Sequence, residues 1–431
     1  MRPSLYQGDV MEFYHTISCC LLGICVIFGL CGCGNSSAKA KDKVHLVMAV
    51  TVLREIEPRY RAAIAQFEAA HPNIEVELLT VAGNYYDKVL LMIAGRNAPD
   101  LMWMGSGFVE FAERGALLDI TDRVAKEVDT SKYPPLLLKW YRSNDKQYGI
   151  PFGIDTQFIV YNKQLFDEAG VPYPRDGWDY ADFLDKAHKL TKDRDGDGRI
   201  DQYGFSGELD YATFGAEIIT PDARRAVCNS PEMIAYLQTN LDLIHKEKVS
   251  LQGKGGGDAT LDESTSLFHQ RRVAMMLMFT WDLPYIRERY ADMQWDLVTN
   301  PKVKQYGHWA SSQAIVISSA TKHPEEAWAL AKTFFGEEHQ RRMSDILLPT
   351  DQSLAARLAA ENRSPNVHAV LMRATPYLHS LPRVPNSTEL LQYFYDARDS
   401  VRFGRATPRE AMMRAEKQIN RAIQKHARLE Q

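Results

Sequence analysis

Apolar residues recur along this chain with two periods, and the two alternate. Val44 to Leu53, VHLVMAVTVL, is β-rich and predicts a first strand. Glu57 to Ala70 switches to helical spacing, with Tyr60, Ile64 and Phe67 on one face, and His71-Pro72-Asn73 stops it. Ile74 to Val81 alternates as a second strand, Tyr85 to Gly95 forms a second amphipathic helix, and Leu101-Met102-Trp103-Met104 a third strand. Strand, helix, strand, helix, strand signals a parallel sheet with crossover helices. Ligands bind such sheets beyond the carboxyl ends of the strands, which is where Trp103 and the Ser106-Gly107-Phe108 loop fall.

Tyr148 to Lys163, YGIPFGIDTQFIVYNK, breaks the pattern. It is apolar enough for a buried strand, yet Pro151 and Gly153 interrupt its first half and Asp155 stands in its middle. Proline cannot donate to a sheet ladder and glycine weakens a strand. Two readings fit: a crossover between domains with Asp155 at the seam, or an edge strand with a bulge and a hydrogen-bonded acid. Further on, Trp178 to Leu190 predicts a helix, and Ser230-Pro231 caps another with an apolar face of Ile234, Leu237, Leu241 and Ile244. Gly253 to Asp258 reads as a linker. Val273 to Thr280 is an apolar run ending at Trp281-Asp282, Trp295 to Thr299 a short strand broken by Asn300-Pro301 that suits a second crossover, back to the first domain, and Ala314 to Ser318 another strand. Pro324 to Phe335 predicts a helix with Trp328 in its core face. Leu347 to Asp351 suits a further crossover. Thr407-Pro408-Arg409-Glu410 is a capping box for a last helix facing inward through Met412, Ala415, Ile419 and Ile423.

Length and composition narrow the class. At 431 residues the chain suggests two domains, and 45% hydrophobic with 25% charged residues is ordinary for a globular protein. A net charge of −4 gives no reason to expect nucleic acid as a partner. Of 6 cysteines only Cys228 lies in the body, so no disulfide framework forms there, and Cys228 reads as a small buried hydrophobe. Ile17 to Cys31 is an apolar run below the roughly 20 residues of a spanning helix. It ends in small residues before polar Asn35-Ser36-Ser37, as a secretory signal does, although the segment ahead of it carries Arg2 against Asp9 and Glu12. Leu30-Cys31-Gly32-Cys33 resembles a bacterial lipobox, which implies lipidation of Cys33. No G-x-S-x-G, H-E-x-x-H or C-x-x-C motif is present. Paired carboxylates are common enough that glycoside hydrolysis stays open as an alternative.

Several stretches together resemble the carbohydrate-binding proteins of bacterial ABC importers, the family that includes maltose-binding protein. Tyr148, Gly149, Pro151, Tyr161, Asn162, Lys163, Phe166, Ala169 and Gly170 follow that family's first interdomain crossover. Phe67, Pro72, Ile74 and Val76 match a second pattern, and Ala94, Gly95, Ala98, Pro99 and Asp100 a third. Gly115, Leu117, Leu118 and Asp119, then His323 to Trp328, then Ala406 to Ala411 complete the series in the family's order. The resemblance implies an α/β, periplasmic-binding-protein-like (type II) fold: two α/β domains joined by three crossovers around a cleft. The expected layout is 1–32 signal peptide, 33–43 lipidated N-terminus and linker, 44–153 plus 302–348 domain one, and 154–301 plus 349–431 domain two. It further implies a monomeric, non-enzymatic receptor, lipid-anchored on the extracytoplasmic face of the membrane, that hands a sugar to an ABC permease. A non-sugar solute such as glycerol phosphate, a polyamine or an oligopeptide is the alternative in the same class.

Sugar binding needs aromatic faces for the C–H faces of a pyranose and planar polar groups for its hydroxyls. Trp103, Tyr85, Tyr86, Trp178, Trp281 and Trp309 lie at segment ends or in expected loops. The family often places a stacking aromatic where Trp281 stands and a hydroxyl-binding residue where Asp155 stands. Asp282 and Glu208 are further polar candidates, with Arg54 and Glu55 behind them. Separately, Asp193, Asp195, Asp197, Arg199 (through its carbonyl) and Asp201 occupy positions one, three, five, seven and nine of an EF-hand-type calcium loop, with Gly198 at the turn. Position twelve is Gly204, so a distant acid such as Glu208 would have to complete the ligand set.

Overall fold

The computed structural model describes residues 43–51, 56–105, 107–251, 265–361, 365–380 and 387–429. Expectations for the signal segment, Cys33, Arg54, Glu55, Ser106 and the 253–258 linker therefore lie outside the described residues.

Three parallel strands start the first lobe. β1 (Val44–Thr51) lies between β2 (Ile74–Val81) and β3 (Leu101–Met104), and helices Glu57–Ala70 and Tyr85–Ala94 make the crossovers. The small hairpin of β4 (Arg142–Ser143) and β5 (Lys146–Gln147) leads into β6 (Gly149–Asn162), whose every residue is buried. β7 (Tyr203–Ser206), β8 (Val273–Phe279) and β9 (Trp295–Val298) belong to the second lobe. β10 (His308–Ile317) returns to the first, and β11 (Leu378–His379) pairs with its beginning.

β6 serves both lobes. Its first half pairs antiparallel with β10, from Val316↔Gly149 to Ala310↔Thr156. Its second half pairs with β8 on one side, starting at Gln157↔Phe279, and with β9 on the other. The partner changes between Thr156 and Gln157, so Asp155 sits at the seam. The two sequence readings of this stretch prove compatible, because β6 is also the edge of the first lobe's sheet. That is why Pro151 is tolerated, beside a register shift at Gln313/Ala314. Gly153 is required by close approach: a Cβ there would meet the Leu347 side chain at 2.5 Å. Leu348 bridges Ile154 through hydrogen bonds of 2.8 and 3.1 Å, and Thr350 Oγ1 donates to the Pro151 carbonyl at 2.6 Å. The segment read as a crossover from 347 to 351 thus lies against β6.

Among the described residues three clusters of buried apolar side chains pack about the sheet, one of them shared by both lobes. In the first lobe Tyr60, Ile64 and Phe67 meet Phe152, Trp328 and Phe334; in the second, Phe183, Phe205, Cys228, Met412 and Ile419 pack together. Trp328 and Cys228 are core residues, as their patterns implied. Thr407 and Glu410 exchange the expected capping bonds at 3.1 and 3.3 Å. Three expectations change. Trp178 is 5% exposed and donates Nε1 to the Thr299 carbonyl at 2.7 Å, so it plugs the second core rather than lining a cleft. Helix Pro231–His245 buries Met233, Tyr236, Leu237, Asn240 and Leu243, a stripe rotated from the one read off its aliphatic residues. β10 begins at His308, six residues before the predicted start, so Trp309 lies in a strand.

Candidate functional site

Because β10 alternates, Trp309 and Ser311 point the same way, and both are only partly buried. Asp155 lies opposite Ser311 in the ladder. Its Oδ2 accepts from Ser311 Oγ and Gln313 Nε2, each at 3.1 Å, and Gln313 Oε1 in turn accepts from Trp103 Nε1 at 2.9 Å. Asp155 Oδ1 is buried and has no hydrogen-bond partner among the described residues. Burial pushes this carboxyl up to about 6, with the Gln313 and Ser311 hydrogen bonds pulling against it. A buried acceptor left open costs free energy until a donor arrives.

Beside the acid stands an aromatic corner. Trp281, 41% exposed, stacks on Phe279 at 4.3 Å and 6°. Trp309 stands edge-on to both, at 5.4 Å from Phe279 and 5.8 Å from Trp281. Thr156 ties the corner to β6: its Oγ1 donates to the Trp309 carbonyl at 2.7 Å, and its N–H donates to Thr280 Oγ1 at 3.3 Å. Asp282 is 3% exposed and accepts from the Phe279 N–H at 3.1 Å, closing the turn that presents Trp281. On the first-lobe side Trp103 stacks on Tyr86 at 6.3 Å. Tyr85 meets Trp103 edge-on and spends its hydroxyl on the Ala49 carbonyl at 3.0 Å. At 5% exposure Tyr85 supports Trp103 from within the core.

The structure thus brings together Asp155, Trp281, Trp309, Asp282 and Trp103. It places Glu208 elsewhere. That carboxylate accepts from Tyr236 Oη at 3.1 Å and pairs with Arg402 at 3.5 Å and Arg398 at 3.8 Å. Glu208 is therefore committed to an internal ion cluster, which corrects its reading both as a sugar contact and as a twelfth calcium ligand. Sequence reasoning missed Ser311 and Gln313, which hold Asp155. Both carried a signal, a polar Ser-Ser-Gln inside a β-rich run, that a strand start at 314 concealed.

In the acidic loop, carboxylate oxygens of Asp193, Asp195 and Asp197 lie within 4.8 Å of one another and are exposed. Asp193 accepts from the Gly196 and Gly198 N–H groups at 2.7 and 2.8 Å, with Gly198 at φ +87°, and these bonds hold its carboxyl below the ordinary value. Asp201 accepts from the Arg194 N–H at 2.8 Å and does not belong to that trio, and the Arg199 side chain is exposed.

Two compact α/β lobes that share crossover strands, with an aromatic corner and an open acid at the seam, define a solute-binding protein. Residues 54–341 match the bacterial extracellular solute-binding protein family, and the chain belongs to it. It is 22% identical to the multiple sugar-binding protein of Streptococcus mutans, over 78% of this chain and 82% of that one. It is also 22% identical to the galactooligosaccharide-binding protein of Bacillus subtilis, over 94% and 96%. An ABC substrate-binding protein of Listeria monocytogenes, solved in complex with cycloalternan, superposes with a TM-score of 0.75 at 25% identity, covering 89% of this chain and 99% of that one. The fold is accordingly of the periplasmic-binding-protein type, and these relatives are binding proteins.

Proposed function

We propose that this protein captures a sugar or oligosaccharide at the seam of its two lobes and delivers it to an ABC permease. One observation carries the reading: a buried carboxylate with one unpartnered oxygen beside a half-exposed tryptophan platform. A pyranose presents both complements, hydroxyl donors for Asp155 Oδ1 and a C–H face for Trp281 or Trp309. The names of the relatives support it. A receptor that must release its cargo calls for micromolar affinity, about −8 kcal/mol. A thermal-shift screen over mono- and oligosaccharides tests the proposal. A sugar at about 100 times Kd adds roughly 2.7 kcal/mol of stability. Shifts confined to glycerol phosphate, polyamines or peptides would replace the sugar, and turnover of an oligosaccharide would replace the receptor.

Two finer features belong to the same reading. The lipobox-like stretch supports a lipid anchor on Cys33, and Cys33→Ala then moves the protein from the membrane to the soluble fraction. The converging oxygens of Asp193, Asp195 and Asp197 suit one calcium ion, whose ligands stand at about 2.3–2.6 Å. Calcium then raises the melting temperature of the wild type and not of the Asp193→Ala/Asp195→Ala variant. A wild type indifferent to calcium removes the ion from the picture.

A further inference from the structure

Asp210 takes no part in the site as described, yet it is 4% exposed and receives donors from several distant segments. Its Oδ2 accepts from the Trp309 N–H at 2.6 Å and from Gln157 Nε2. Its Oδ1 accepts from the Ala212 N–H at 3.0 Å, capping the short turn Tyr211–Phe214. His379 Nε2 approaches both oxygens, at 3.1 and 3.2 Å. Gln157 is the first second-lobe position of β6, Trp309 stands near the start of β10, and His379 lies on β11, paired with Trp309. A single carboxylate therefore grips two crossover strands and the strand beside them. His308 adds a second tie, donating Nδ1 to the Gln157 carbonyl at 3.2 Å.

We propose that Asp210 is a positioning residue for the ligand platform: it fixes the backbone of Trp309 to the second lobe, so that the Trp309 ring stays edge-on to Trp281 and Phe279. This rests on the reading of Trp309 as a ligand contact. The assignment follows from what the N–H of Trp309 can do. The β6 ladder reaches β10 only from Ala310 onward, so Asp210 supplies the acceptor that β6 does not. Ala310 and the residues after it pair with the first-lobe half of β6. Without Asp210 the start of β10 keeps its pairing with β11 and the His308 tie to Gln157, but the Trp309 N–H loses its acceptor and the ring its fixed place beside Trp281 and Phe279. Burial raises the Asp210 carboxyl, but the His379 charge and the hydrogen bonds outweigh it and hold it below the ordinary value. The acceptor thus stays ionised and strong near neutral pH.

The test needs no sugar. N-bromosuccinimide oxidation, read tryptophan by tryptophan by mass spectrometry, compares wild type, Asp210→Asn and Asp210→Ala. The expected result is several-fold faster oxidation at Trp309 and its ring partner Trp281 in Asp210→Ala, with Trp103, Trp178 and Trp328 unchanged. Asp210→Asn keeps one acceptor oxygen for the Trp309 N–H and falls between. If Asp210→Ala does not fold, the Asp210→Asn comparison decides alone. Unchanged oxidation at Trp309, or an equal rise at Trp103, Trp178 and Trp328 as well, overturns the assignment. A second arm uses the best sugar of the thermal-shift panel. Asp210→Ala weakens its binding in the wild-type background and adds nothing in a Trp309→Ala background; independent, additive losses count against the proposal. A panel without a binder removes the sugar reading and leaves the oxidation series to decide Asp210.

Discussion

Asp155 and Asp210 are two aspartates of nearly equal burial, 3% and 4% exposed, beside the same pair of crossover strands. Their surroundings differ. Asp210 faces Ala212, Gln157, Trp309 and His379, and its carboxyl sits below the ordinary range. Asp155 has donors on one oxygen only, and its carboxyl is pushed up to about 6. Burial alone therefore does not say what an acid is for. A satisfied carboxylate holds strands in place, whereas a half-satisfied one stores a cost that an incoming donor can relieve.

Stability separates the two most sharply. Asp210→Ala strands His379 and the Trp309 N–H, and should lower unfolding free energy by about 3–5 kcal/mol in urea titrations. Asp155→Asn should do the reverse at pH 7. An ordinary aspartate titrates near 3.8, so a folded value of about 6 makes ionised Asp155 cost roughly 2–3 kcal/mol, which the amide removes. Equal losses in both variants would erase the contrast.

Binding comes next. Trp281→Ala should weaken sugar affinity by about 2–4 kcal/mol with little change in the ligand-free melt. Asp155→Ala should cost about 1.5–3 kcal/mol of affinity. Trp328→Ala is the control, losing stability by about 3–5 kcal/mol while intrinsic affinity persists. Full affinity in both seam variants, together with a collapsed melt, would make these residues core rather than site.

The smallest expected effect is in pH. The folded chain holds a proton on Asp155 between about 3.8 and 6 that the unfolded chain has released. The favourable contribution of Asp155 is therefore present below 3.8 and lost as pH rises through 6. The stability gap between Asp155→Asn and wild type should open over that window. His339 acts in the opposite sense. Burial first, and then the charges of Arg342 and Arg59, hold its imidazole down at about 3, so its contribution is present above 6.5 and lost as pH falls toward 3. Subtracting one protein from the other cancels it. Because hydroxyl donors favour the ionised carboxylate, affinity should fall as pH drops below about 6, by up to tenfold per unit. In calorimetry at pH 6 the wild type should release protons on binding, and Asp155→Asn should not.

How much of this was legible beforehand follows the range of the interactions. Helices 57–70 and 324–335 and strands 74–81 and 101–104 were readable because periodicity, caps and prolines act within a few residues. Asp155 was readable as a charge set into an otherwise apolar run, and Trp328 as one face of a helix. The sequence by itself thus determined the alternation of elements and, through the family resemblance, the class of fold, while leaving open whether 148–163 was a crossover or a bulged edge strand. Tertiary structure alone decided which acid does what. Glu208 meets Arg398 and Arg402, and Asp210 meets residues 157, 309 and 379. Partners so far apart leave no local pattern. Trp309 looked like a loop residue because Ser311, Ser312 and Gln313 are polar. The pairing of β10 with β6 from Ala310 onward, and with β11 at Trp309, makes it a strand. A carboxylate's role depends on how many donors reach it, and in this chain the fold brings those donors in from residues that are far away in sequence.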